Sequence, residues 1–580
     1  MAATAYNEEL SRIFAEMGEM LDILGENAFR VRAYENLSRI FSSLDRDAKE
    51  LLESGELEKT KGVGESTIEK VKEFLKTGKI KAHAELKAKL PEGLLDLLKV
   101  PGLGPKKAKA VWEKLGITSL HELEEAARSG RLEEMESFGK KTEENILAGI
   151  ELVKKHKGQF LWSDAMHILE PALKALSSDK HTVKIEVAGS IRRFKETVKD
   201  GDMLVASDAP SETAKIFVEA IEPERVTSEG ETKVSVVTKA GMSVDLRMVT
   251  EENFPYALHH FTGSKEHNIA MRGRSQKLGY KMNEYGLFKE SKGGKEKLVP
   301  CESEEDIFRV LGLAYIPPEL RENMGEIEAA EENKLPHLIV EKDVVGALHV
   351  HSDYSDGHNT IEEMALAAKG LGFSYVLLTD HSQSARYAGG LTPEDLKKQW
   401  TEIEKLNEKL EGVVVLKGTE CDILADGTMD FDNKMLASFD CVIGSIHAGF
   451  TYDEKQQTER IVSAAKNRYV DIIGHPTGRL LLQREGYRVD LEEVLKACAD
   501  TCTAIEINGN PNRLDLDWRW VRRAKEMGVK FALTSDSHMK DTLAHQNAAV
   551  GIARKGWLEK EDVLNALPVK KFLGSLKRSQ

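Results

Sequence analysis

The pattern of apolar and polar residues changes twice along the chain. Up to about residue 150, apolar residues recur at helical spacing, as in AYNEELSRIFAEMGEMLDIL and NAFRVRAYENLSRIFSSL. From about residue 182 they form short runs typical of strands, such as VKIEVAGS, GDMLVASD and MSVDLRMV. After an acidic, proline-bounded stretch, PPELRENMGEIEAAEENKLP, strands and helices alternate to the end. The pattern predicts a multidomain chain with a helical head, an α+β middle, a linker and an α/β tail.

In the tail, seven apolar runs are each followed at once by polar residues of metal-binding type. The runs are VVGALHVHSDYSDG, FSYVLLTDHS, VVVLKGTECD, FDCVIGSIHAG, VDIIGHPTG, TAIEINGNP and KFALTSDSH. Helical stretches lie between most of them, which is typical of a (β/α) barrel whose active site lies at the carboxyl ends of its strands. Imidazole and carboxylate together suit zinc, manganese or iron(II). The candidate ligands are His349, His351, Asp356, His381, Glu420, His447, His475, Asp536 and His538.

The strings HVHSDYSDG, TDHS, GTE, SIH, GHP and SDSH resemble the motifs of the polymerase-and-histidinol-phosphatase (PHP) family. This resemblance implies a distorted (β/α)7 barrel over residues 339–580 with up to three Mn²⁺ or Zn²⁺ ions. It also implies hydrolysis of phosphoester bonds, as in 3′→5′ exonucleases, 3′-end processing enzymes, abasic-site nucleases or histidinol phosphatases. The implied ligand sets are His349, His351, Glu420 and Asp536 for one ion, Glu420 with His447 and His475 for a second, and Asp356, His381 and His538 for a third.

The middle of the chain contains three aspartates in a pattern that suits magnesium. Asp200 and Asp202 flank a glycine at the start of a predicted strand, so both carboxylates leave the same face. Asp245 lies inside the apolar strand SVDLRMV, where an unpaired charge would be costly. Three carboxylates form the oxygen-only set that Mg²⁺ prefers, together with substrate phosphates. The small residues Gly189 and Ser190 follow an earlier strand and would let backbone N–H groups approach a phosphate.

The Gly189-Ser190 turn, the pair Asp200 and Asp202, and the third aspartate, Asp245, follow one another along the chain. In this order they resemble the motifs of the nucleotidyltransferase superfamily. The downstream string HHFTGSKEHNIAMRGRSQKLGYKMNEYGLF resembles the nucleotide-selecting segment of X-family, polymerase-beta-like enzymes. His260 and Lys265 depart from that family's pattern, which leaves sugar discrimination and template dependence open. The resemblance implies that dNTP contacts are made by Ser190 and Arg193 at the triphosphate, by Phe261, Thr262 and Gly263 at the sugar, by Asn268 and Arg272 at the nascent pair, and by Lys265 near the phosphates.

Two turns in the head share a Gly-x-Gly pattern followed by a basic helix. They are Gly62–Gly64 and Gly102–Gly104, and Lys106 and Lys107 follow the second turn. The pattern resembles the helix–hairpin–helix motif, which holds the DNA backbone through N–H groups without reading sequence. The head also resembles the polymerase-beta-like lyase domain, with Lys70 at the position of the Schiff-base lysine. Lys70 is equally compatible with an ordinary solvated helix position.

The complete set of resemblances predicts six segments. They are a helical DNA-end-binding, lyase-like domain at 1–85, a fingers-like helical domain at 86–152, a nucleotidyltransferase palm at 153–252, a nucleotide-selecting thumb at 253–316, a linker at 317–338 and the PHP domain at 339–580.

Composition adds little to this interpretation. The net charge of −15 weighs mildly against DNA binding, although local basic patches coexist with acidic metal sites. Five cysteines without a disulfide pattern predict a cytoplasmic protein, and the lack of a long apolar run predicts no membrane partner. A monomer is expected.

The leading hypothesis is a two-site repair enzyme that acts on gapped or primer–template DNA with dNTPs. One alternative is a phosphoesterase whose polymerase half serves only as a DNA-binding platform. Another is a scaffold without chemistry, although two complete metal clusters count against it, since carboxylates packed together without metal repel one another.

Overall fold

The computed structural model describes residues 5–579 apart from 43, 45, 134, 136, 137 and 291–295. The chain divides into two compact units, residues 1–157 and residues 158–580. None of the described helices is long and apolar enough to cross a lipid bilayer. All five cysteines are free thiols, and four of them are buried.

The first unit is helical. In α1, Leu10, Phe14, Met17 and Leu21 are spaced at three or four residues and are all buried, so one face of the helix enters the core. Ser119 and Glu122 form a capping box at the start of α8. The helices are α1 Ala5–Leu24, α2 Ala28–Ser42, α3 Ala48–Glu53, α4 Glu65–Thr77, α5 Lys81–Lys87, α6 Leu94–Leu97, α7 Pro105–Leu115, α8 Leu120–Arg128 and α9 Lys140–His156.

The second unit begins with the palm, whose five-stranded sheet has the order β2-β4-β7-β6-β5. Strands β4 and β7 are parallel and the other neighbours are antiparallel. Along β7 the buried residues Val244, Leu246 and Met248 alternate with Asp245 and Arg247. The elements are β1 Phe160–Leu161, α10 Trp162–Ser177, β2 Thr182–Val187, α11 Gly189–Arg192, β3 Thr197–Val198, β4 Asp200–Ser207, α12 Pro210–Ile221, β5 Arg225–Glu229, β6 Lys233–Val237 and β7 Ser243–Val249.

The next elements form the thumb and a packed segment that leads to the barrel. The thumb sheet is antiparallel with the order β10-β9-β8. The segment 317–338, predicted as a linker, includes α16, and the side chains of Arg321 and Glu326 are fully buried within it. The elements are α13 Phe254–Thr262, α14 Lys265–Lys277, β8 Tyr280–Asn283, β9 Gly286–Glu290, β10 Glu296–Leu298, α15 Glu304–Val310 and α16 Glu326–Glu331.

The tail is a parallel barrel of seven strands in sequence order, as predicted. It is closed where the N–H of His351 donates to Ser537 O (2.8 Å) and the N–H of Ser537 donates to His349 O (3.1 Å). The strands are β11 Gly346–Val350, β12 Tyr375–Leu378, β13 Val414–Asp422, β14 Cys441–Ser445, β15 Ile472–Ile473, β16 Ala504–Asn508 and β17 Phe531–Thr534. The helices are α17 Ile361–Gly370, α18 Pro393–Asn407, α19 Asn433–Leu436, α20 Glu454–Lys466, α21 Leu491–Thr501, α22 Trp518–Glu526, α23 Gln546–Lys555 and α24 Val569–Ser575.

Candidate metal centres and DNA contacts

The nine predicted ligands of the barrel all lie together at the carboxyl ends of its strands. Glu420 on β13 is at the centre, with Oε1 at 2.9 Å from His475 Nε2, 3.2 Å from His447 Nε2 and 3.3 Å from His349 Nε2. Its other oxygen lies 3.1 Å from His381 Nδ1. One carboxylate is therefore shared by imidazoles from four different strand ends.

Asp356 and Asp536 form the other two acidic positions of the cluster. Asp356 Oδ1 lies 3.3 Å from His538 Nε2 and 3.6 Å from His381 Nε2. Asp536 Oδ1 lies 3.5 Å from His351 Nε2. These distances fit a group of ligands arranged around more than one ion.

Four overlapping groups have ligand atoms within 4.8 Å of one another, and each of them could hold an ion. His351 joins the group around Asp356, and His381 joins the group of Glu420 and His447. Within the described residues, the groups are His351, Asp356, His381 and His538; His349, His351 and Asp536; His349, Glu420 and His475; and His381, Glu420 and His447.

The donor set fits metal binding. His349 Nε2, both ring nitrogens of His351, His381 Nδ1 and His475 Nδ1 are buried without a hydrogen-bond partner in the described part of the chain. Burial lowers the pKa of His351 to about 3, with His538 acting in the same direction. His351 is therefore neutral, which is the form of imidazole that coordinates metal.

Two carboxylates that the sequence analysis missed orient the ligands. Glu506 on β16 is fully buried and accepts hydrogen bonds from His349 Nδ1 (2.5 Å) and Thr534 Oγ1 (2.7 Å). Asp422 accepts from His447 Nδ1 at 2.5 Å. Such partners fix the tautomer and orientation of a metal-binding histidine. The only signal in the sequence was an acid inside or at the end of an apolar strand.

The three aspartates of the palm lie on one face of the sheet. Asp202 and Asp245 are register partners on the parallel strands β4 and β7. Burial, together with the charges of Asp200 and Asp245, raises the pKa of Asp202 to about 6. Asp245 accepts hydrogen bonds from Lys233 Nζ (2.6 Å) and Ser235 Oγ (2.7 Å). The donor set, three carboxylates that repel one another, fits divalent cations.

The predicted phosphate-binding turn lies directly over these carboxylates. Gly189 has φ +61°, and a Cβ there would lie 2.3 Å from Asp202 Oδ2, so glycine is required at this position. Ser190 is half-buried in the short helix that follows.

The residues predicted to select the nucleotide lie on α13 and α14 or at the turn between them. Arg193 Nη1 donates to Thr262 O (2.5 Å), next to Gly263, and Arg247 stacks on the ring of Phe261 at 4.1 Å. Lys265 is exposed at the start of α14.

Asn268 and Arg272 line one small cavity, together with His260, as expected from their spacing on α14. Asn268 donates to His260 O at 2.7 Å, and its side-chain oxygen is buried without a partner in the described chain.

Both predicted hairpins of the first unit have the same geometry. Gly62 and Gly102 have positive φ angles of +94° and +84°, and Gly64 and Gly104 are the N-caps of α4 and α7. The N–H groups of a first helical turn have no partner within the helix and are free to contact an anion.

The basic residues of the first unit differ in their contacts. Lys106 is exposed, whereas Lys107 Nζ donates to Gly102 O at 3.1 Å. Lys70 Nζ donates to Ser66 Oγ (2.6 Å) and to Ser66 O (3.0 Å), and burial lowers the pKa of its amine.

Four family models match the chain. They are a helix-hairpin-helix domain at residues 5–80, a SAM-like helix-hairpin-helix tandem at 94–151, the DNA polymerase beta thumb at 257–322 and the PHP domain at 347–510.

Curated relatives match either the whole chain or the barrel. The protein called DNA polymerase/3′-5′ exonuclease PolX from Bacillus subtilis is 39% identical over 576 residues, which cover 99% of this chain and 100% of that protein. A protein called a probable phosphatase from Thermoanaerobacter sp. is 32% identical over 244 residues, which cover 40% of this chain and 94% of that protein. The chain therefore belongs to the X-family DNA polymerases in which a polymerase-beta-like core is followed by a PHP domain.

Proposed function

We propose that the chain fills short gaps in DNA at Asp200, Asp202 and Asp245, and that it trims or cleans 3′ ends in the PHP barrel. The observation that carries the proposal is the presence of two separate carboxylate-rich centres in one chain. The full-length match to a polymerase with 3′-5′ exonuclease activity supports the same pair of reactions.

At the palm, the three aspartates would hold Mg²⁺, which activates the primer 3′-hydroxyl and stabilises the leaving pyrophosphate. Ser190 and Arg193 bind the triphosphate of the incoming dNTP. Phe261, Thr262 and Gly263 line the sugar, and Asn268 and Arg272 contact the nascent base pair. The support for these roles is that Gly189 lies against Asp202 and that Arg193, four residues further on, is bonded to Thr262 O.

In the barrel, the nine residues would hold up to three Mn²⁺ or Zn²⁺ ions, which would supply an activated water and neutralise the charge of a phosphoester. Glu420 and Asp536 bring negative charge to the centre, while Glu506 and Asp422 orient His349 and His447. Arg513 Nε lies 3.2 Å from Asp536 Oδ2, where its guanidinium can contact a substrate phosphate. Cleavage at abasic sites is a further reaction of this kind that the centre can support.

In the helical unit, the turns at Gly62–Gly64 and Gly102–Gly104 hold the backbone of gapped or primer–template DNA. Lys106 and Lys107 add charge next to the second turn. Lys70 is the proposed nucleophile toward an opened abasic sugar, and its lowered pKa favours the neutral amine that this reaction needs. We keep the monomeric state and the cytoplasmic location as expectations from the sequence.

The test uses a labelled duplex with a one-nucleotide gap, with dNTPs and Mg²⁺ or Mn²⁺. We expect Asp200→Ala to lose extension while retaining 3′-end degradation, and His349→Ala to show the converse. Loss of both activities in either variant would contradict two independent centres. If the wild type degrades DNA but extends no primer, the polymerase half is only a DNA-binding platform.

The barrel-length match to a probable phosphatase supports a second substrate class, small phosphate monoesters. Release of inorganic phosphate from a simple monoester by the wild type, but not by His349→Ala, would establish it. Wild-type activity confined to DNA ends would exclude it.

A further inference from the structure

A buried lysine of the barrel holds the segment that follows the phosphate-binding turn of the palm. Lys555, the last residue of α23, has a fully buried side chain. Its Nζ donates to Arg193 O (2.9 Å) and to Glu319 O (3.2 Å), and it forms an ion pair with Glu322 (2.7 Å). A barrel side chain is therefore bonded directly to the backbone of the residue proposed to hold the triphosphate.

Glu322 connects the same lysine to the side chain of Arg193. Its carboxylate lies 3.2 Å from Arg193 Nε and 3.2 Å from Lys195 Nζ. Burial alone would raise the pKa of Glu322, but Lys555, Arg193 and Lys195 together hold it below its ordinary value. Glu322 therefore orients the guanidinium of Arg193. Because three cationic side chains share this one carboxylate, the group keeps a net positive charge.

A second set of contacts holds Glu196, three residues further along the palm segment. Trp518 Nε1 donates to Glu196 Oε2 at 3.1 Å, and Arg519 Nη1 lies 3.0 Å from Glu196 Oε1. The indole ring of Trp518 lies 4.5 Å from Lys555 Nζ and 5.0 Å from Lys195 Nζ. The two sets of contacts thus meet at one aromatic ring of α22.

Between these contacts, Phe194 packs into the barrel surface. A Cβ at Gly551 on α23 would lie 2.2 Å from the Phe194 ring, so this glycine admits the phenyl group. The other face of the ring packs on Trp162 of the palm at 4.2 Å between centroids. The segment 193–196 is therefore held at each of its residues.

We infer that the PHP barrel positions the phosphate-binding turn of the polymerase, with Lys555 and Trp518 as positioning residues for the incoming dNTP. The inference rests on the proposed role of Arg193. It gives the barrel a function in the polymerase reaction that is separate from its metal centre. Arg193 also donates a hydrogen bond to Thr262 O, next to the residues proposed to line the sugar. A displacement of segment 193–196 would therefore move the proposed triphosphate contact of Arg193 relative to these residues.

The main experiment measures single-nucleotide gap filling by the full-length protein as a function of dNTP concentration. In Lys555→Met we expect KM for dNTP to rise about tenfold to 100-fold, because small displacements of positioning groups are costly. We expect kcat to change much less, and 3′-end degradation by the same protein to be retained. A merely destabilised protein would lose both activities in proportion.

Lys525→Met is the matched control. Lys525 lies on α22 and pairs with Glu559 (2.9 Å) and Asp562 (2.8 Å), both in the barrel. We expect this variant to keep the wild-type KM for dNTP. An equal rise of KM in Lys525→Met and Lys555→Met would overturn the inference, because the effect would then be general to the barrel.

Arg193→Ala separates failure of the inference from failure of the proposed function. If Arg193→Ala raises KM and Lys555→Met does not, only the positioning role of the barrel is wrong. If Arg193→Ala leaves KM unchanged, the triphosphate role of Arg193 is wrong and the inference fails with it. If Lys555 acts through Arg193, the double variant raises KM by less than the product of the two single effects.

Trp518→Phe tests the second set of contacts and keeps the proposal falsifiable if Lys555→Met does not fold. It retains the aromatic ring and removes the N–H that binds Glu196. We expect KM for dNTP to rise several-fold, because one hydrogen bond to a charged group is lost. The 3′-end degradation should be retained. An unchanged KM in this variant would contradict the positioning role of Trp518.

Discussion

Asp202 and Asp245 stand side by side on the parallel strands β4 and β7, and their carboxylates leave the same face of the palm sheet. The two strands are separated in the sequence by a helix and two other strands, so only the fold brings the acids together. Close carboxylates repel one another, and this repulsion adds to burial in raising the pKa of Asp202 to about 6. A divalent cation held by these carboxylates would reduce the repulsion.

Asp245→Asn is expected to abolish most primer extension, because one negative ligand of the cation is lost. We expect a fall of about 100-fold or more in kcat for gap filling, with 3′-end degradation unchanged. Ser235→Ala is the matched control, since Ser235 touches Asp245 only through a hydrogen bond of 2.7 Å and is not a ligand. Its rate should fall by only about tenfold, the low end of the effect expected when a hydrogen-bond partner of a ligand is removed. Equal losses in both variants would contradict the assignment.

Glu506→Gln tests the carboxylate that orients His349. Its expected effect is a drop of about 10–100-fold in affinity for Mn²⁺ or Zn²⁺, because the imidazole loses a charged partner. The measurement is bound metal after dialysis against a range of free metal concentrations. Asp471→Asn serves as control, since this buried acid pairs with Arg578 rather than with the cluster. Wild-type metal content in Glu506→Gln would show that Glu506 is only structural.

Sequence reasoning brought the nine candidate ligands together because they occur where apolar runs end, at the same edge of the barrel. His475 and Glu420 are 55 residues apart, yet both were expected at strand ends and they lie 2.9 Å apart. The implied division of ligands among ions stays a prediction, because the groups of close ligand atoms overlap. Glu506 was missed because a single acid in an apolar strand has no spacing signal.

The segment 317–338 shows a different limit of sequence reasoning. Its acidic, proline-bounded composition predicted a linker, but some of its charges have partners that are distant in the sequence. Glu326 Oε1 lies 2.7 Å from His267 Nδ1 with both side chains fully buried, and Glu322 pairs with Lys555. Such long-range ion pairs leave no local pattern, so an acidic run can be packed as well as solvated.

Glu304 gives a prediction on stability and pH. It lies between Arg192 (2.7 Å) and Arg321 (2.5 Å). Burial would raise the pKa of Glu304, but the two arginines lower it to about 2, below the ordinary value of 4.5. The group therefore stabilises the folded state above about pH 4.5, and this stabilisation is lost as the pH falls from about 4.5 to about 2.

Glu304→Gln should remove this loss of stability at low pH, which amounts to roughly 3 kcal/mol in the free energy of unfolding. The measurement is urea unfolding of the wild type and the variant at a series of pH values from 6 downward. The control is Glu305→Gln, at the exposed neighbouring position. A variant with the same acid sensitivity as the wild type would show that Glu304 contributes little.

Lys70 is expected to form a covalent adduct with an incised abasic site. Borohydride should trap the wild type on such DNA, and Lys70→Ala should reduce trapping by at least about tenfold because the attacking amine is absent. Lys72→Ala, which changes an exposed lysine on the same helix, should retain trapping. Absence of an adduct in the wild type would assign Lys70 to an ordinary helix surface.

Lys106 and Lys107 are neighbours with different freedom to bind DNA. Lys106→Ala should weaken binding to gapped duplexes of any sequence and reduce the slope of log Kd against log salt by about 1. Lys107→Ala should change the slope less, because its Nζ is bonded to Gly102 O at 3.1 Å. Fluorescence anisotropy at several salt concentrations measures both slopes. An unchanged slope in Lys106→Ala would mean that this lysine does not contact phosphate, and the second hairpin would then hold DNA through its backbone N–H groups alone.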